Sequence, residues 1–369
     1  HLWSRDWERE LTADNVFEIQ DEIAGAVALA MATGEEPTGT DEGDAGASAL
    51  IPASVRTSDL DAYELYLAGR HHWSTRTSQG LTEAVRLFEA ALDRDSLYAP
   101  AWVGLAAVYN ALPWYTDYPA GDAAERSRAA AERALQLDPA SAEALSPRAI
   151  TVFEFEPGGE EAARLFARAI ESDPDYSQGL SWYCSFLSIT GRWEEAIPWC
   201  ERSVELDPLR VHVLSMLGET MMVAGRYEDA LRPVSRALAL QPGFPFTRML
   251  MALGLAALGR LDEAEETLRS YARDYEAPGG ESAASTIIGG LRDPSRRRDA
   301  AAALLGWLEH EETQQYWILE WLALLGAHEE ALDVVDRMLE SDPHELTTLN
   351  ASIATAVLRG EPRFDAAIA

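Results

Sequence analysis

Lysine does not occur in this chain, and all 30 of its residues counted as Lys or Arg are arginine. A phosphate-cradling Walker loop, the strand lysine of a protein kinase and a Schiff-base amine are therefore excluded in their usual forms. Positive charge is also scarce: 62 acidic residues give a net charge of -32, so there is no field to displace counterions from phosphates. Nucleic acid is not expected as a partner. Lysine-free acidity fits a GC-rich genome that writes Arg for Lys, or adaptation to salt. Cysteine is limited to Cys184 and Cys200, too few for a disulfide framework or a four-ligand zinc site. Both fall on inward helix positions, where two small buried thiols of a reducing, cytoplasmic compartment are expected; the alternative is a redox pair. No apolar run approaches the ~18 residues of a membrane span.

What is present is a period. Gly191-Arg192-Trp193-Glu194-Glu195-Ala196 returns 34 residues later as Gly225-Arg226-Tyr227-Glu228-Asp229-Ala230, and again as Gly259-Arg260-Leu261-Asp262-Glu263-Ala264. Pro174, Pro208 and Pro242 keep the same spacing. Such a recurrence predicts a solenoid of helix pairs, in which each pair buries its apolar stripe against its neighbours. The fold class expected is all-α, a right-handed superhelical solenoid of antiparallel pairs, about eight pairs plus a terminal helix.

Along the chain, residues 1–33 read as the end of an upstream domain plus a connecting helix from Asn15, with Val16, Phe17, Ile19, Ile23 and Val27 on its stripe. The start at His1 without Met reads as a piece of a longer polypeptide. Residues 34–58, acidic and small, read as a flexible linker. Residues 59–275 are expected to hold six pairs. The first pair spans Ala62 to Trp73, with Tyr63, Tyr66 and Leu67 on one stripe, and Leu81 to Asp93. The second is interrupted by Pro113-Trp114-Tyr115-Thr116-Asp117-Tyr118-Pro119, a stretch long enough to be a loop that packs across the neighbouring pair or folds back as a lid. Residues 276–369 are expected to hold an irregular pair, the last regular one announced by Gly326-Ala327-His328-Glu329-Glu330-Ala331 and Ser341-Asp342-Pro343, and a capping helix Leu346 to Leu358.

These units resemble the tetratricopeptide repeat over roughly residues 59–358, with small residues where two helices must cross closely: Cys184, Gly218 and Ala252 on first helices, Ala196, Ala230 and Ala264 on second ones. A narrower resemblance joins His1-Leu2-Trp3-Ser4-Arg5-Asp6-Trp7, Asp61-Ala62-Tyr63-Glu64-Leu65-Tyr66 and Glu361-Pro362-Arg363-Phe364 to bacterial multidomain signalling proteins with a TolB-like domain. It implies a class III nucleotide cyclase, a Ser/Thr kinase or a winged-helix domain upstream, with the repeats as a carboxy-terminal interaction region.

The resemblance implies a concave groove lined by first helices. That face carries Gln178, Ser181, Ser185 and Ser188, then His212, Ser215, Glu219 and Met222, then Phe246, Met249 and Leu253. Phe246 and Met249, exposed together, would suit an apolar partner segment laid in the groove; the alternative is that the next pair or residues 277–295 cover them. Clamping of an acidic chaperone tail through lysines is disfavoured, since the groove has none. Arg296, Arg297 and Arg298 form a basic cluster that either favours a helix turn and neutralises acidic neighbours or docks an acidic or phosphorylated partner.

Catalysis has little support. His71 and His72 are adjacent on a helix and diverge by about 100°, and paired Glu and Asp on such helices are expected to be solvated. No cofactor or metal is expected. The function expected is a non-enzymatic scaffold for protein or peptide segments. The competing readings are an enzyme fragment whose catalytic domain lies upstream and a self-association module.

Overall fold

The computed structural model describes residues 57–156, 159–308, 315–341, 349 and 352–368. The expected connecting helix from Asn15, nearly all of the linker, Asp342-Pro343 and the start of the expected capping helix lie outside these residues.

The described residues are helical, and the helices pack as consecutive pairs. The chain divides into two compact units, the first ending at Ser172 and the second beginning at Asp173. The first unit holds α1 (Leu60–Ser74), α2 (Ser78–Arg94), α3 (Ala99–Tyr115), α4 (Ala120–Leu137), α5 (Ala142–Phe155) and α6 (Gly159–Ser172). The second holds α7 (Ser177–Ile189), α8 (Trp193–Leu206), α9 (Val211–Val223), α10 (Tyr227–Leu240), α11 (Pro245–Ala257), α12 (Leu261–Asp274), α13 (Gly280–Arg292), α14 (Arg297–Trp307), α15 (Gln315–Leu325), α16 (His328–Ser341), α17 (Ile353–Leu358) and α18 (Pro362–Ile368).

The period has a physical origin at each turn. Gly191, Gly225, Gly259 and Gly326 have φ of 77°, 76°, 72° and 69°, the left-handed region in which a Cβ is strained. The residue after each glycine closes the turn by donating back to the carbonyl five residues upstream: Arg192 to Leu187 at 2.8 Å, Arg226 to Met221 at 2.8 Å, Arg260 to Leu255 at 2.9 Å and Ala327 to Leu322 at 2.9 Å. Arg192, Arg226 and Arg260 then reach Glu195, Asp229 and Glu263 at 2.6, 2.9 and 2.7 Å. These pairs are solvent-exposed and contribute little stability; the glycine fixes the turn.

Between the helices of a pair, small meets large. A Cβ on Gly218 would lie 2.3 Å from Val234 Cγ2, so α9 and α10 can approach this closely only with glycine there. Ala196, Ala230 and Ala264 are wholly buried. In the preceding pair the same contact joins Cys184 of α7 to Cys200 of α8, and the two are disulfide-bonded, with Cα atoms 5.4 Å apart. The expectation of two free thiols is thereby overturned: the register that makes both positions inward also makes them face each other.

Three further expectations change. The stretch 113–119 is no long loop, because α3 runs through Pro113 to Tyr115. Only Thr116 to Pro119 connect to α4, and Tyr118 packs 6.0 Å from Tyr109 instead of forming a lid. Leu67 is 42% exposed and does not belong to the α1 core stripe. The irregular pair expected after Gly279 is α13 and α14, joined by a 3-10 turn at Pro294–Arg296. The carboxy-terminal end carries two short helices, α17 and α18, where one cap was expected, with Gly360 at φ 98° between them.

Candidate functional site

The candidate site is the face that first helices α7, α9 and α11 turn away from their partners. It is more closed than its sequence implies. Gln178 and Ser181 are buried, and Gln178 bonds to Ser181 Oγ at 3.1 Å and accepts from Arg210 at 2.8 Å. Ser215 is buried against Thr247, 2.5 Å between hydroxyls, as Ser188 is against Thr220 at 2.9 Å. These hydroxyl pairs satisfy one another across neighbouring first helices, so burial leaves them no orphaned polar atom. Met222 and Leu253 are fully buried. The Met222 thioether lies where a Cβ on Gly254 would meet it at 2.6 Å, which makes it packing between pairs and not a groove residue. Ser185, His212, Glu219 and Phe246 remain partly exposed.

Met249 is 1% exposed, so the expected open Phe246/Met249 patch does not exist. The element laid over it is α15. Trp321 donates its indole N–H to Met249 Sδ at 3.2 Å. The Trp317 ring lies 5.3 Å from that of Phe246, which in turn lies 6.3 Å from His212. Tyr316 donates its hydroxyl to Glu219 Oε1 at 3.0 Å. A second acidic residue, Glu320, is wholly buried on α15 and accepts from the Ala354 N–H of α17 at 3.1 Å.

Enclosure by α15 pushes the Glu219 carboxyl up to about 8, with Glu320 adding like-charge pressure and the Tyr316 hydroxyl opposing both. Burial of the carboxyl end therefore favours the protonated, uncharged form of Glu219. Burial and the two carboxyls likewise hold the Tyr316 phenol well above its ordinary range. In the first unit Glu154 is the counterpart: desolvation raises it to about 8 against a hydrogen bond from Trp114, and its Oε2 has no partner. Glu154, Glu219 and Glu320 depart from the expectation that the acidic residues of these helices are solvated.

Sequence reasoning missed Tyr316, Trp317, Glu320 and Trp321. A signal was available. Gln315-Tyr316-Trp317-Ile318-Leu319-Glu320-Trp321-Leu322 has no polar stripe, and a helix apolar on all sides is buried on all sides.

Arg296, Arg297 and Arg298 are exposed and open α14. The Arg296 guanidinium lies across Gly289, where a Cβ would meet it at 2.9 Å, and its charge acts on Asp293; that of Arg297 lies over Gly326. His71 and His72 set their rings at 73° to each other, 5.6 Å apart. Among the described residues no group of three or more His, Cys, Asp or Glu could hold a metal ion, and no helix is long and apolar enough to cross a membrane. In the first unit a cleft of about 430 Å³ is lined by Glu89, Trp102, Tyr109 and Arg126; Arg126 already bonds the Tyr109 hydroxyl at 3.3 Å.

The tetratricopeptide repeat family matches residues 159–210 and 216–281, which run from α6 through α12. Residues 159–210 and 216–281 are tetratricopeptide repeats. No curated protein matches the chain by sequence. Among solved structures, pilF of Pseudomonas aeruginosa is 25% identical, with 56% of this chain and 89% of that chain covered at a TM-score of 0.44. PilW, a widely conserved type IV pilus biogenesis factor, is 17% identical, with 72% and 99% covered at 0.42. YrrB, a TPR protein with an unusual peptide-binding site, is 18% identical, with 51% and 91% covered at 0.37. None of the three superpositions reaches a TM-score of 0.5.

Proposed function

We propose that this chain is a non-enzymatic tetratricopeptide scaffold that binds protein or peptide segments on the first-helix face of its second unit, as the interaction portion of a larger bacterial signalling protein. The signalling part of this reading rests on the junction residues at positions 1–7, 61–66 and 361–364. The binding part rests on one observation: a helix, α15, is already seated on α9 and α11 through Tyr316, Trp317 and Trp321. A face that holds one helix through three side chains has the chemistry to hold another. His212 and Phe246, both partly exposed at its edge, are the residues of the expected groove that a partner meets first. Arg298 and its neighbours are a separate surface on which an acidic segment would dock.

The test is to pan a random peptide library on the whole chain and titrate the best binders against wild type and the His212→Ala/Phe246→Ala variant. Loss of about tenfold or more in affinity, about 1.4 kcal/mol, places binding on this face. Binders insensitive to the variant send the site elsewhere, and a library without binders contradicts the scaffold reading.

A further inference from the structure

The position of α15 carries more than a second unit packed on itself. The first helix of a pair in a regular array contacts its own partner and the adjacent pair. α15 does this with α14 and α16, yet its aromatic residues also reach α9 and α11, passing over the intervening pair α13 and α14 in sequence. Three anchors at positions i, i+1 and i+5 make the contact: a hydroxyl donor on a carboxyl, an indole on a phenyl ring, and an indole on a thioether. The receiving face supplies a carboxyl acceptor and two soft apolar surfaces, and no cation lies among these contacts. Large aromatics in pockets of this kind carry most of the energy of a helix held in a groove.

We propose that the face of α9 and α11 is a docking surface for an apolar partner helix bearing aromatic anchors in the α15 pattern, and that α15 is the resident competitor such a helix must displace. The inference rests on the protein-binding reading above and names its partner and its gate. The partner's chemistry follows from the occupant: an uncharged contact face, a hydroxyl or N–H donor opposite Glu219, and bulky rings opposite Phe246 and Met249. An acidic tail would place its charge against the Glu219 carboxyl, and the Phe246 and Met249 surfaces offer a basic one no partner. With α15 seated, only the fraction of molecules in which it has lifted is competent, and the apparent affinity for a partner falls by that fraction. Weakening the seat of α15 without altering the face therefore tightens partner binding. That inverse relation separates a gate from a fixed core helix.

The probe is a fluorescein-labelled peptide copying residues 315–325 with a charged tail for solubility, titrated by anisotropy into the whole chain. Wild type is expected to bind weakly. Trp317→Ala, which removes one anchor from α15, is expected to bind about tenfold more tightly, the effect of a truncated interfacial aromatic. Adding Phe246→Ala and Met249→Ala to that variant is expected to abolish the gain. Equal binding by wild type and Trp317→Ala, a gain that survives loss of Phe246 and Met249, or no binding by any variant overturns the inference. Circular dichroism checks each fold. If Trp317→Ala does not fold, Tyr316→Phe carries the comparison, because it deletes only a hydroxyl and is expected to tighten binding about threefold. Library peptides that bind while the 315–325 peptide stays silent would overturn this inference and leave the scaffold reading standing.

Discussion

The Tyr316 hydroxyl and the Glu219 carboxyl, 97 residues apart in sequence, meet at 3.0 Å and join the first helix of the eighth pair to the first helix of the fifth. Removing the hydroxyl leaves Glu219 enclosed with one donor fewer. Tyr316→Phe is expected to cost about 1 kcal/mol, the usual net worth of a buried hydrogen bond, read as a lower urea midpoint at unchanged slope.

The raised Glu219 carboxyl fixes the sign of a pH effect. Its value moves from an ordinary 4.5 to about 8 when α15 is seated, so the folded chain holds a proton that the unfolded chain releases. The contribution is fully present below about pH 4.5, falls as pH rises, and is lost by about pH 8, with a slope of at most about 1.4 kcal/mol per pH unit. Tyr316 and Glu320 from α15 face this group, and Tyr227 of α10 is close enough to feel Glu320. Glu154 titrates over the same window in the first unit. Urea midpoints of wild type and Glu219→Gln, measured between pH 5 and 8, should converge at the acid end and separate above it in favour of the glutamine variant; parallel profiles would refute the assignment.

The Cys184–Cys200 bond closes a loop of 16 residues between α7 and α8. A cross-link over a loop of that size stabilises by about 3 kcal/mol. Thiol titration of the unfolded, unreduced chain should find no free thiol, and reductant should lower the urea midpoint of wild type but leave Cys184→Ala/Cys200→Ala unmoved.

At Gly218 the α9 backbone lies close against Val234 of α10. Gly218→Ala would set a methyl 2.3 Å from the buried Val234 side chain and is expected to destabilise by about 1–3 kcal/mol through overpacking. Gly218→Ala with Val234→Ala should recover part of the loss, which differential scanning calorimetry of both variants would measure.

These residues show how far a sequence reads. Gly191, Gly225 and Gly259 with their following arginines are local: left-handed backbone, turn bond and ion pair all lie within a few residues, and so the helix pairs were legible. The Cys184–Cys200 bond was half legible, since the register that places Gly218 against Val234 places the two sulfurs together. The seat of α15 was not, because register predicts contacts to adjacent pairs and nothing local says that Trp321 will reach Met249. The same limit applies to Gln178, Ser215 and Met222: counting places them on first helices, but whether they face solvent depends on what the rest of the unit lays over them.

Helix α15 occupies the α9 and α11 face, and the Phe246–Trp317 contact, 5.3 Å between rings, is the place to measure it. A double-mutant cycle of Phe246→Ala, Trp317→Ala and their combination, followed by urea denaturation, is expected to show a coupling of about 1 kcal/mol, as for aromatic pairs in contact. Additivity within about 0.3 kcal/mol, the behaviour of residues that do not touch, would contradict it.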